Sequence, residues 1–219
     1  MSPRQPDPHV RLQLVEAAAR LLAEQGIGGV TARRLAAAIG ASTQAVYTHF
    51  ERMDDVIVEM WREGFRRFGA ALDEPAVTAD PVADFAAQGW SYRRFALTNP
   101  HLYRVMFGDG LAAFRAGRHG QDESADTFLS LLARIERCRD SGRWHVHDLH
   151  TAGEVVWSTV HGHTSIELAG FFASQGRDPE RSYAECLRTM ARGFGDDPAL
   201  VDDSLGSAWR TEQMASSQN

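Results

Sequence analysis

Lysine is missing from this 219-residue chain: all 23 basic residues are arginine. The uniform choice fits the codon bias of a GC-rich genome, and guanidinium also suits phosphate contact. Cysteine is scarce. Cys138 and Cys186 are the only two, so no disulfide framework holds the fold, and a reducing compartment is expected. No apolar run approaches 18 residues, which argues against a membrane-spanning helix. The first nine residues are polar and proline-rich, without the apolar stretch of a secretory leader. A basic excess is also lacking. The net charge of −6 excludes a wholly basic nucleic-acid coat protein.

Charge must, however, be read by region. Residues 1–54 hold six arginines against five acids, a net of +1, which leaves −7 for the remainder. Aromatics divide the same way. Of five Trp, four Tyr and eleven Phe, only Tyr47 and Phe50 precede residue 56. A small, near-neutral, aromatic-poor head therefore precedes a larger acidic body.

The pattern is helical throughout, and an all-α fold is expected. Leu14, Ala18, Leu21, Leu22 and Gln25 keep a 3.6-residue period. Gly26 ends that helix, with Ile27 placed for the apolar contact that accompanies a glycine C-cap. Thr31 and Ser42 are N-caps of two short helices separated by Gly40. A longer helix follows over about residues 53–72, with Asp54 and Asp55 in its first turn, where the dipole favours them. Three Asx-Pro pairs announce helices in the body: Asp80-Pro81, Asn99-Pro100 and Asp178-Pro179. Ser124 begins another helix ending near Gly142, and Asp148 one reaching about Phe172. Residues 108–123 read as loop around a short helical piece. No sustained period-two alternation predicts a sheet.

Residues 31–50 read TARRLAAAIGASTQAVYTHF. Two short helices joined by Gly40-Ala41-Ser42 form a helix-turn-helix pattern, whose second helix enters the DNA major groove. Leu35, Ile39, Val46 and Phe50 are spaced to pack on Leu14, Ala18 and Leu21. Further features lie at fixed spacing over residues 11–56: Glu24-Gln25-Gly26 at a helix end, Val30-Thr31 at a helix start, Leu35-Ala36, Ile39-Gly40-Ala41-Ser42, then Val46-Tyr47-Thr48-His49-Phe50 and Asp54-Asp55-Val56. On these residues the head resembles the TetR (tetracycline-repressor-like) family of bacterial transcription regulators.

That resemblance implies roles. Thr31, Tyr47 and His49 would touch phosphates, which fix register without reading sequence. Arg33, Thr43, Gln44 and Ala45 would read base edges: Arg33 a guanine, Gln44 an adenine, and the Thr43 and Ala45 methyls a thymine methyl. The family's phosphate-binding lysine after the reading helix is replaced by Met53, with Arg52 as its candidate substitute. A head charge of only +1 predicts weak non-specific affinity.

The body carries Asn99-Pro100-His101-Leu102-Tyr103-Arg104-Val105-Met106-Phe107 and Trp157-x-x-x-His161-Gly162. Here it resembles a TetR subgroup with a C-terminal domain named for its Trp, His and Gly. That implies a helical domain that dimerises and binds a small, partly apolar effector. Candidate effector contacts are Trp90, Tyr103, Met106, Phe107, Trp157 and His161. Candidate dimer contacts are Val155, Thr159 and Ile166 on one helix, and Tyr183, Leu187, Met190 and Phe194, which repeat at helical spacing on a helix read as the last.

The expected organisation is a DNA-binding domain at 1–52 (core about 9–52), an effector and dimerisation domain at 53–195, and a frayed or disordered tail at 196–219. The expected partners are an operator duplex, an effector and a second copy, in the bacterial cytoplasm and on the nucleoid when DNA-bound, with no cofactor. The rival reading uses His145, His147, His150, His161 and His163 as a metal site or a hydrolase centre. No HExxH motif is present, nor a G-x-S-x-G elbow or a Gly-rich phosphate loop, so no catalytic or metal residues are assigned.

Overall fold

The structure, a computed structural model, describes residues 7–108 and 121–216. Most of the segment expected as loop, 108–123, lies outside the described residues. The chain divides into two compact units, Met1–Arg67 with Asn99–Ser124 and Phe68–Thr98 with Ala125–Asn219. All regular structure in the described residues is helical.

In the first unit, α1 spans Pro8–Gln25, capped by Asp7, whose carboxylate accepts the His9 N–H. A 3₁₀ turn at Ile27–Gly29 follows. Ile27 is 46% exposed and lies outside the buried cluster of this unit. Thr31 caps α2, Ala32–Ala38, through the Arg34 N–H. Ser42 caps α3, Thr43–His49, through the Ala45 N–H. The tight turn between them needs a left-handed residue, which Gly40 supplies at φ +66°. The Ala41 N–H then closes on the Ala36 carbonyl at 2.8 Å. The longest helix, α4, spans Met53–Asp73. Asp55, in its first turn, accepts the Arg52 N–H at 2.8 Å, a reciprocal cap.

Leu14, Ala18, Leu35, Val46 and Phe50 are buried together, as the spacing predicted. The cluster does not stop at residue 52. Val56, Ile57 and Met60 of α4 join it, as do Leu102 and Val105 of α6, Pro100–Phe107. The expected domain boundary at 52/53 therefore falls inside the first unit. One 18-residue helix and two of seven residues bury too little apolar surface alone, and α4 and α6 complete the core.

The second unit is arranged on α5, Pro81–Thr98. Around it lie α7, Gln121–Asp140; α8, Leu149–Leu168; a single turn α9, Phe171–Ser174; α10, Pro179–Gly193; and α11, Pro198–Ser216. The helix expected to run to Phe172 instead breaks at Gly170, where φ is +80°. Gly89 lets α5 approach α10 closely: a Cβ there would lie 2.9 Å from Leu187, and the Tyr183 hydroxyl donates to the Gly89 carbonyl at 2.5 Å.

The expected frayed tail is corrected by α11. Asp197 accepts the Ala199 and Leu200 N–H groups at 2.8 and 3.2 Å, and Pro198 follows it, the same Asx-Pro start seen elsewhere. Val201, Leu205 and Ala208 then fall on one face and are buried, with the Trp209 ring 4.6 Å from that of Trp90 of α5.

Buried carboxylates anchor the ends of this unit. Asp84, 2% exposed, accepts from the Thr78 backbone and hydroxyl and from Arg137 at 2.5 Å. Burial alone raises its pKa, but these donors outweigh it and hold the carboxyl below its ordinary value. Burial likewise pushes the Cys138 thiol up to about 12, which makes it an inert core residue.

The packing of α11 gives a direct test. Leu205→Ala should lower unfolding stability by about 2–5 kcal/mol in urea titration. A frayed tail would leave it within about 0.5 kcal/mol.

Candidate nucleic-acid interface

The outward face of α3 follows from its inward one. Val46 is 0% exposed, and at about 100° per residue its burial turns Gln44 and Tyr47 to solvent; Thr43, in the first turn of α3, is exposed as well. Tyr47 is 50% exposed, unusually open for a tyrosine. Ala45 is half-buried at the edge of that face. Thr31 and Arg33, at the start of α2, are exposed, and Arg33 forms no ion pair among the described residues. Six of the eight residues expected at DNA are thus exposed, on α2, on α3 and just before α4; Ala45 and His49 are partly covered. The two N-cap hydroxyls, Thr31 and Ser42, stand at helix N-termini whose free N–H groups favour anions.

His49 is half-buried, and its Nδ1 is buried without a hydrogen bond from the described residues. Its carbonyl, one of the orphan acceptors at the end of α3, is taken by Arg11 of α1 at 2.6 Å. The same guanidinium lies 4.3 Å over the Phe50 ring and 3.3 Å from Glu59 of α4. Sequence reasoning assigned Arg11 nothing. Its one visible signal is position, at the start of the matching stretch.

Met53 takes no part in the exposed face. It packs half-buried against the head core. Arg52 is exposed, with its guanidinium 3.1 Å from Asp54. Such an exposed pair is worth little, so Arg52 is held back only weakly.

The remaining expectations fall elsewhere. Of the candidate effector contacts, Tyr103, Met106 and Phe107 belong to the first unit. The Tyr103 and Phe107 rings meet at 4.9 Å, tilted by 56°, and Met106 fills the space left by Gly64, where a Cβ would lie 2.8 Å away. In the second unit, His161 bonds Tyr92 at 3.0 Å, and Trp157, 40% exposed, lies 5.9 Å from it. Trp90 is not with them; it packs between Tyr183 and Trp209, the rings tilted by about 50°, under an open cleft of about 300 Å³.

The candidate dimer contacts divide as well. Val155 and Ile166 are exposed apolar residues of α8, and Thr159 lies partly open on the same helix. Tyr183 and Leu187 are 0% exposed and Met190 is buried. These three are corrected to intramolecular core, because α10 is sandwiched by α5 and α11 and is not the last helix. The Phe194 ring packs 4.9 Å from that of Trp144.

The five clustered histidines do not converge. His145 packs at Gly195, His150 lies 6.1 Å from Phe128, and His163 is buried with Nε2 2.7 Å from Ser182. Burial pushes the His163 pKa down. Among the described residues no group of three or more His, Cys, Asp or Glu is placed to hold a metal.

Family models, a relative and solved structures match this chain. A family model described as bacterial regulatory proteins, tetR family, matches residues 14–60. One described as tetracyclin repressor-like, C-terminal domain, matches residues 85–190. A helix-turn-helix-type transcriptional repressor of Mycobacterium tuberculosis is 35% identical over 176 residues, covering 78% of this chain and 86% of the relative. The solved regulator PfmR of Thermus thermophilus aligns with a TM-score of 0.66 at 20% identity, over 82% of this chain and 97% of that one. RolR, solved with the ligand resorcinol, aligns with a TM-score of 0.57 at 18% identity, over 92% and 93%.

The Arg52–Asp54 pair predicts a gain of function. Asp54→Asn should tighten duplex binding by up to about fivefold, the worth of an exposed ion pair. It should also steepen the log–log salt dependence by about 0.9, one added phosphate contact. Unchanged affinity and slope in a salt series would show that Arg52 does not reach DNA.

Proposed function

The chain belongs to the TetR family of bacterial regulatory proteins, and from that premise we propose that it is a ligand-responsive transcriptional repressor released from a near-palindromic operator by a small effector. Regulators of this family bind operator DNA and small molecules and act as dimers. The observation that carries the reading is the α3 face: Thr43, Gln44 and Tyr47 exposed, with Val46 buried behind them. Gln44 would pair with adenine and Arg33 with guanine, while Thr43 and Ala45 supply methyl contacts. Thr31, Tyr47, His49 and Arg52 would hold phosphates and set the register.

For a second copy we assign the open apolar residues of α8, Val155 and Ile166, with Thr159 between them. A self-complementary contact of this kind fits two-fold symmetry. For the effector we assign Trp157 and His161, where an aromatic plane stands beside the His161–Tyr92 polar pair. Mostly apolar walls with a few placed polar groups suit a partly apolar molecule. Tyr103, Met106 and Phe107 belong to the helix that helps close the head core. Effector and operator must weaken each other equally. No helix among the described residues is long and apolar enough to cross a membrane, and a cytoplasmic, nucleoid-bound regulator is the matching proposal.

Selection from randomised duplexes by the purified protein at about 150 mM salt tests the reading. An inverted repeat should emerge, with half-site centres about 34–36 Å apart. If protein stripped of co-purified ligand by unfolding and refolding still enriches no sequence, the proposal fails.

A further inference from the structure

The orphan carbonyl at the end of α3 is answered by a residue that no resemblance assigned a role. We infer that Arg11 is a positioning residue for operator recognition: it fixes the C-terminal end of the reading helix and does not itself touch DNA. This rests on the proposed reading of α3.

Three contacts from one guanidinium define the position. Arg11 Nη1 donates to the His49 carbonyl at 2.6 Å, its plane covers Phe50 at 4.3 Å, and Nη2 faces Glu59 at 3.3 Å. The three partners lie on α3, at its C-cap and on α4, while Arg11 itself lies on α1. A helix C-terminus carries partial negative charge and unsatisfied carbonyls, and a cation there answers both. The planar fork meets all three partners at once, which a single ammonium group cannot do.

The position matters because of what lies in that last turn. Tyr47 and His49, the proposed phosphate contacts, are the fifth and seventh residues of a seven-residue helix. So short a helix is marginal alone and takes its geometry from its neighbours. The Ser42 hydroxyl holds its first turn. Arg11 holds its last. Loosening that end shifts both phosphate contacts, and small displacements of a binding group lose affinity without loss of charge. Two of its nitrogens are engaged inside the protein, by the His49 carbonyl and Glu59, while 39% of the side-chain surface stays open, so the salt slope is what separates a positioning role from a phosphate contact.

The test uses the full-length protein and the operator recovered by selection. Affinity is measured across a salt series, beside thermal unfolding. Arg11→Met keeps the apolar stem and removes the fork. It should bind at least about tenfold more weakly, ~1.4 kcal/mol, at a temperature where both proteins are folded, with an unchanged salt slope. Arg11→Lys keeps the charge and one donor and should recover part of the loss. The inference is overturned if folded Arg11→Met binds like wild type. It is equally overturned if the slope falls by about 0.9, since Arg11 would then be a phosphate contact. Should Arg11→Met not fold, Arg11→Lys decides, and it must bind more weakly than wild type at unchanged slope. Failure of the repressor reading would show differently, as wild-type protein that selects no operator.

Discussion

Val46 has no exposed surface, and the function proposed for the first unit depends on that. It sits in one buried cluster with Leu14, Leu35, Phe50, Val56 and Met60. An apolar side chain of this size contributes roughly 1.5–3 kcal/mol when fully buried, far more than any exposed contact on the same helix. The inward face is therefore decided by burial, and the outward face is what remains. Thr43, Gln44 and Tyr47 are free to differ because packing does not need them. A slip of one residue along α3 would put Ala45 or Tyr47 in the place of Val46 and expose Val46, and burying Tyr47 would leave its hydroxyl unpaired.

A head this small needs help. Its own three helices supply few aromatics and no disulfide, so α4 and α6 close its core through Val56, Ile57, Met60, Leu102 and Val105. Ionic contacts add direction. Arg67 of α4 pairs with Glu16 of α1 at 2.8 Å, and Arg11 with Glu59 runs the other way between the same two helices. Within the second unit, forks such as Arg93 on Glu167 and Arg143 on Asp196 do similar work. Each uses guanidinium geometry that lysine does not offer.

Local signals were legible where one residue type has one physical use. Thr31, Ser42, Asp148 and Asp178 cap the helices they were expected to cap. Two Asx-Pro starts escaped notice, Asp7-Pro8 among the polar opening residues and Asp197-Pro198 at the start of the acidic stretch taken for a tail. Missing the second made α11 look like a frayed tail and α10 look like the last helix. From that followed the reading of Tyr183, Leu187 and Met190 as a dimer stripe. A strongly amphipathic helix reports that one face is buried, not against which chain. The Gly170 break was invisible for another reason: glycine within a helical pattern is tolerated as often as it stops one. Arg11 could not be read at all, since its three partners lie 38 to 48 positions away in sequence and only the fold brings them together.

The central claim is that the solvent face of α3 reads bases. It is tested most directly by measuring Gln44→Ala against a panel of duplexes, each changed at one base pair of the selected operator. The account predicts lost discrimination, about 1–3 kcal/mol, at one base pair and its symmetry mate, with the preferences elsewhere intact. A uniform loss across the panel, or none, would contradict it.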